Sequence, residues 1–213
     1  MKCPFRCRRK DARPGELISA ALEVFVEKGF AAARLDDVAA KAGVSKGTVY
    51  LYFESKEALF KAVIEAGAMS AVEALEQVAA DGGSSASERL RRFMATCWQT
   101  MNETPLGDLL KLLVAESQNF PEIGRWFDTT IVRRVQNATR AIIAAGVAEG
   151  EFRPVPADTA ADIVFAPFFA HIIWQRAFGA VMIDLPPPER FFADTLDVLV
   201  HGLLRVPGTG AQS

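Results

Sequence analysis

The sequence is poor in the residues that carry most catalytic and metal chemistry. Its 213 residues include two histidines, His171 and His201, and three cysteines, Cys3, Cys7 and Cys97. So few cysteines, in an odd number, do not make a disulfide framework, and a reducing compartment is expected. Cys3 and Cys7 could hold two positions of a metal, but no His or Cys pair elsewhere completes a tetrahedral set, so no metal is expected. No nucleophile stands with a base, and neither "GDLL" nor "GVAEGEF" is a phosphate cradle, so neither an enzyme nor a cofactor is expected. Long hydrophobic runs are also missing. The most apolar run, "IVFAPFFAHIIW" at 163–174, is too short to span a bilayer and contains Pro167 and His171. The start, "MKCPFRCRRKDARPGE", is basic, but no apolar core follows before Glu16. A cytoplasmic protein without a membrane partner is expected. A large excess of one charge is absent too: the formal net charge is -2.

What is present is helical and unevenly charged. Residues 1–61 carry 12 Lys+Arg against 8 Asp+Glu, a net of +4, and the remainder carries 12 against 18, a net of -6. A basic head on an acidic body suits a chain in which only the head meets a polyanion. Half of the residues are hydrophobic, enough for one ordinary core and a small second one. The run "ELISAALEVFVEKGF" is amphipathic with a glycine stop at Gly29. A short helix from about Asp36 ends at Gly43. A longer one starts at Ser55 and runs toward the loop "DGGSS" at 81–85. Further helices are predicted at 86–103, 106–118, 122–149, 157–179 and 189–205. No segment alternates with the period of a strand, so the predicted fold is all-α, with about nine helices. The predicted organisation is a flexible basic arm (1–13), a small three-helix unit (14–61), a larger helical bundle (62–205) and a flexible tail (206–213). The arm's role stays open between contacts to a polyanion (added phosphate contacts or entry into a minor groove) and simple solubilisation.

The segment "SKGTVYLYFESKEALF" at 45–60 is the most specific part. Three short helices with tight turns form a helix-turn-helix arrangement. On the third, Val49 and Phe53 lie one above the other and are expected to bury against Leu35, Val38 and Phe25. Gly47, Thr48 and Leu51 then point away. Tyr50 and Tyr52 sit at the borders of the buried stripe, where a ring can pack while its hydroxyl reaches a phosphate. Gly47 lets backbone approach DNA closely. Lys46 and Lys56 bracket the segment, and Lys56 follows Ser55, the N-cap of the next helix.

The stretch "GFAAARLDDVAAKAGVSKGTVYLYFESKEALF" resembles the DNA-binding unit of the tetracycline-repressor (TetR) family of bacterial regulators. The family pattern matches at Gly29, Phe30, Val38, Ala39, Ala42, Gly43, Val44, Ser45, Gly47, Tyr50, Phe53, Lys56 and Leu59, without a gap across about residues 14–62. The resemblance implies DNA-contact roles for Lys46, Gly47, Thr48, Tyr50, Leu51, Tyr52 and Lys56. One position departs from the pattern: Arg34 stands where the family has Thr or Ser. A hydroxyl cap is lost there, Asp36 is expected to cap instead, and Arg34 becomes a candidate phosphate ligand. The resemblance further implies a homodimer on a palindromic double-stranded operator and, by the family's common mode, repression. The helices at 157–179 and 189–205 are expected to form the dimer interface. The last of these is apolar around most of its girth.

The bundle also carries an aromatic set. Trp98, Met101, Phe120, Trp126, Phe127, Phe165, Phe168, Phe169, His171 and Trp174 are candidate contacts for a small apolar effector. For any one of them an ordinary core role competes, and His171 fits a core or interface histidine better. Pro167 cannot donate to the carbonyl of Ile163 and is expected to kink its helix beside Phe165, Phe168 and Phe169. A DNA-binding regulator without a small ligand is the first alternative, and a helical enzyme the second.

Overall fold

The computed structural model describes residues 13–179, 181 and 186–205. The basic arm, Cys3, Cys7 and the tail lie outside the described residues. Within them the chain is all-α: Arg13–Ala32 (α1), Leu35–Lys41 (α2), Lys46–Tyr52 (α3), Lys56–Ala80 (α4), Ala86–Glu103 (α5), Leu106–Glu116 (α6), Pro121–Phe127 (α7), Arg133–Ala148 (α8), Ala157–Phe178 (α9) and Pro188–Leu203 (α10). A π-helical turn, Asp128–Val132, joins α7 to α8 without a break, so the ten α-helices of the described residues make nine helical segments. Extended pairing is limited there to an isolated bridge between Phe152 and Leu204. By its contacts the chain divides into two units, Met1–Ala66 and Gly67–Ser213, with the division inside α4.

In the first unit, α1 buries Leu17, Ala21, Val24 and Phe25, the one-sided spacing that its sequence dictates. Gly29 breaks its helical geometry at φ 76° and ψ 163°, a region open essentially to glycine alone. The chain then turns Phe30 into the core. Phe25, Phe30 and Phe60 form a buried triad, with Phe60 edge-on to Phe25 at 5.1 Å and 4.8 Å from Phe30. Such ring pairs add about 0.5–1.5 kcal/mol each beyond area burial. Lys56 fastens the same corner. Its Nζ donates to the carbonyls of Phe30 (2.8 Å) and Ala31 (3.1 Å) and lies 4.5 Å over the Phe30 ring. Carbonyls in the last turn of a helix have no partner within it, and a lysine is a suitable one.

The second unit is built around Leu90, Phe93, Met94, Ile142, Ile143, Val164 and Phe168, all buried. Its joints are polar. The Glu151 carboxylate accepts from the backbone N–H of Ala86 (2.6 Å) and Ser87 (3.1 Å), at the start of α5. Burial alone would raise its pKa, but these bonds and that from the Ser87 hydroxyl hold the carboxyl below its ordinary value. Arg176, near the end of α9, donates to Asp108 (2.8 Å) and to the carbonyls of Met101 (2.9 Å) and Asn102 (3.2 Å). Gly107 makes room for that guanidinium, because a Cβ there would stand 2.9 Å from it and 2.4 Å from the Met101 carbonyl.

One expectation needs correction. Phe53 is not a second core residue of α3: it is the C-cap, in extended geometry (φ -134°, ψ 116°), and is only half-buried. The helix expected at 157–179 is present as α9, Ala157–Phe178, with Pro167 inside it. By length and composition α9 could cross a membrane, although its apolar run alone could not. Ala160, Val164, Phe168 and Ile172 nevertheless pack into the core.

Candidate nucleic-acid interface and ligand cavity

α2 and α3 are set by their ends. Gly43, at φ 65°, makes the turn between them. Ser45 caps α3 through a bond from the Thr48 N–H (3.3 Å), and the Ser45 and Thr48 hydroxyls lie 2.9 Å apart. At the start of α2 the guanidinium of Arg34 cannot accept a hydrogen bond. The cap there is Asp37, whose carboxylate accepts from the Arg34 N–H at 3.1 Å. Asp37, not Asp36, thus supplies the capping carboxylate, while its own N–H is taken by the Arg34 carbonyl at 3.0 Å. The nearby Lys28 ammonium, 2.8 Å away, lowers the pKa of Asp37.

α3 is two-sided. Val49 is fully buried, while Leu51 is 77% and Tyr50 49% exposed. Gly47 and Arg34 are exposed, and Thr48, Tyr52 and Lys56 are partly buried. A Cβ on Gly47 would meet only the Ser45 hydroxyl, at 3.9 Å. The chain itself therefore gives no steric reason for glycine at a position where the helix would favour alanine. Lys46 pairs with Asp36 at 2.8 Å and lies 5.8 Å from the Tyr50 ring. The hydrogen bond to Asp36 raises its pKa. Lys56 already spends two of its three N–H donors on carbonyls of α1.

The second unit encloses an apolar cavity of about 330 Å³, within the range of small-molecule sites. Trp98, Met101, Phe127, Phe165, Phe168 and Phe169 line it. Phe120, Trp126, His171 and Trp174 are not among its walls. His171 is 6% exposed, stacks on Phe191 at 4.0 Å and 13°, and has its pKa lowered by burial. It belongs to a cluster with Trp98 and Phe168. Trp174 is 52% exposed on α9, and Phe120 and Trp126 are partly buried around α7.

Sequence reasoning looked for rings and missed what makes the space. Ala68 and Ala71 of α4 form part of the wall, as do Ile131 and Val132 of the π turn. Such wide turns recur inside helices at functional sites. The polar members Thr100, Gln136 and Asp162 were missed as well. Cys97 also lines the cavity, and burial raises its pKa, which makes it a poor nucleophile. Among the described residues no three His, Cys, Asp or Glu side chains converge as for a metal ion.

A larger, more polar groove of about 600 Å³ lies beside Gln99, Asn102, Glu103, Gln175 and Arg176. Arg176 is already committed there to its structural bonds.

The comparisons with known proteins cover both units. Residues 17–63 match the model of the bacterial regulatory proteins of the tetR family, and residues 79–183 match the tetracyclin repressor-like C-terminal domain. The chain belongs to the TetR family. Its first unit carries the helix-turn-helix of that family. The HTH-type transcriptional activator FasR of Mycolicibacterium smegmatis is 48% identical over 56 residues, 26% of this chain and 26% of that one. YerO, an uncharacterized HTH-type transcriptional regulator of Bacillus subtilis, is 27% identical over 195 residues, 89% of this chain and 65% of that one. The match thus spans about a quarter of FasR and just under two thirds of YerO. Among solved structures, the transcriptional regulator FadR of Bacillus subtilis in complex with stearoyl-CoA superposes with a TM-score of 0.72 at 21% identity, covering 89% of this chain and 98% of that one. At that identity the likeness is one of fold.

Proposed function

We propose that this TetR-family chain acts in the cytoplasm as a homodimeric repressor that reads a palindromic operator with α3 and is released by a small, largely apolar effector. The observation that carries the reading is the two-sided α3. Leu51 projects 77% exposed from a helix whose Val49 is fully buried, and a Cβ on the exposed Gly47 would touch only the Ser45 hydroxyl. An aliphatic side chain held outward on a second helix of this kind suits a thymine methyl in a major groove. Gly47 suits close approach of a phosphate backbone. Thr48, Tyr50 and Tyr52 offer hydroxyls beside it. Lys46 and Arg34 supply cations, Lys46 after exchanging Asp36 for phosphate. Lys56 serves mainly to fix the α1 corner, with one donor left for DNA.

For the effector, the support is the apolar cavity and the stearoyl-CoA held by a protein of the same fold. For the dimer, it is Ile163 (56% exposed), Trp174 (52%) and Phe178 (49%) on α9 and Val198 (71%) on α10. Large apolar side chains at that density mark an association surface. Repression is the family's common mode, although one relative is named an activator.

The test is stoichiometry. Light scattering should give about twice the 23.2 kDa mass of one chain, and titration of a selected duplex should saturate at two chains or a multiple of two. A monomer that binds DNA one chain at a time would contradict the proposal.

A further inference from the structure

The charge of the cavity lining sets the chemistry of what it can hold. Among the described residues the cavity has no lysine, arginine or histidine in its wall, but it has one carboxylate, Asp162. Asp162, Phe165, Ala166 and Phe169 follow one another at i, i+3, i+4 and i+7 along α9, and all four line the cavity. That spacing places them on one helix face. The carboxylate therefore stands on the same stripe as two of the rings that form the apolar wall. It is at the solvent side: Asp162 and Phe169 are exposed, while Phe168 is buried. On α8, Gln136 donates its Nε2 to Asp162 Oδ1 at 3.3 Å, which leaves the second oxygen without a partner among the described residues.

We infer that the effector is an amphiphilic organic cation, with an apolar body in the cavity and a monovalent ammonium-type head at Asp162 beside the Phe165 and Phe169 rings. The inference rests on the reading of this cavity as the effector site. A carboxylate and ring faces both attract a cation that has left part of its water behind. A carboxylate or phosphate head at the same place would meet like charge, and no basic side chain in the wall would offset it. A neutral amphiphile gains from the apolar wall alone.

Three probes with a common ten-carbon tail separate these cases: decyltrimethylammonium, decanol and decanoate, titrated calorimetrically into the full chain below their micelle concentrations. The expected result is binding of the cation at least about tenfold tighter than decanoate, with decanol between them. Asp162→Asn should weaken the cation about tenfold and leave decanol unchanged. The asparagine oxygen can still accept from Gln136, so the fold is preserved. Asp162→Lys should reverse the order of cation and anion. Decanoate binding as tightly as the cation, or tighter, while decanol still binds, would overturn the cation inference and leave the cavity an effector site. Absence of heat with all three probes in the wild type and in both variants would overturn the cavity reading itself, and the inference with it. Cation binding that survives Ala166→Trp unchanged would place the head elsewhere and also overturn the inference.

Discussion

Gly47→Ala should move folding and DNA binding in opposite directions. In the free chain a Cβ at this position meets only the Ser45 hydroxyl, at 3.9 Å, an ordinary contact. No positive φ demands glycine there: among the described residues the left-handed glycines are Gly29, Gly43 and Gly150. Alanine in place of a helical glycine is worth about 0.4–1 kcal/mol, chiefly by restricting the unfolded chain. For a chain of this size that corresponds to a rise in Tm of roughly 1–4 °C. If the DNA backbone approaches here, the added methyl displaces it. The loss of one hydrogen bond to a charged phosphate is about 1.5–3 kcal/mol, or roughly 10- to 150-fold in affinity per half-site. Thermal unfolding and fluorescence anisotropy on a selected duplex read the two effects separately. Unchanged affinity would refute close approach at Gly47. A fall in Tm would refute the claim that the chain itself has no use for the glycine.

Four further outcomes follow from named contacts. Leu51→Ala should leave Tm unchanged, because the side chain is 77% exposed. It should relax a preference for T in each half-site, costing about 1 kcal/mol per half-site, as sequence selection with both proteins would show. Lys56→Ala removes two bonds to carbonyls of α1, so unfolding should become easier by about 1–3 kcal/mol. The salt slope of DNA binding should fall by about one if its third donor meets phosphate. Glu151→Ala leaves Ser85 as the cap of α5 but frees the Ala86 and Ser87 N–H groups and should cost about 1 kcal/mol at neutral pH. The folded carboxyl titrates below its ordinary value of 4.5. Its contribution should thus be complete above that value and disappear as pH falls through the lower folded one, which paired melts across pH would reveal. Ala166→Trp fills part of the cavity wall and should abolish effector response or lock the protein off DNA, with Tm near wild type, as anisotropy with and without effector would show.

The sequence shows helices and their ends well where a local device sets them. "DGGSSA" places the start of α5 because a serine cap announces it, and Ser85 does accept from the Glu88 N–H at 3.2 Å. Gly29 announces the break in α1 because few other residues adopt its geometry. Devices made by distant residues are silent. Nothing near Lys56 says that its ammonium will find carbonyls 25 and 26 residues earlier. The empty Arg34 cap predicts that a carboxylate must help, but not that Asp37 will do so while Asp36 turns to Lys46. The cavity shows the same limit. Hydrophobic spacing identifies a side chain that leaves water, not whether it faces another helix or a void. His171 stacks on Phe191, whereas Phe165, only six residues earlier, lines the cavity. The void owes as much to Ala68, Ala71 and the π turn at Asp128–Val132, which no periodicity marks.

The central claim is that two copies of α3 read DNA together. Selection of bound duplexes from a random pool by the wild-type protein tests it most directly. The account predicts an enriched inverted repeat whose half-site centres lie about 34–36 Å apart, one turn of DNA, or a multiple of that distance. Enrichment of a single unrepeated site, or of no sequence at all, would contradict it.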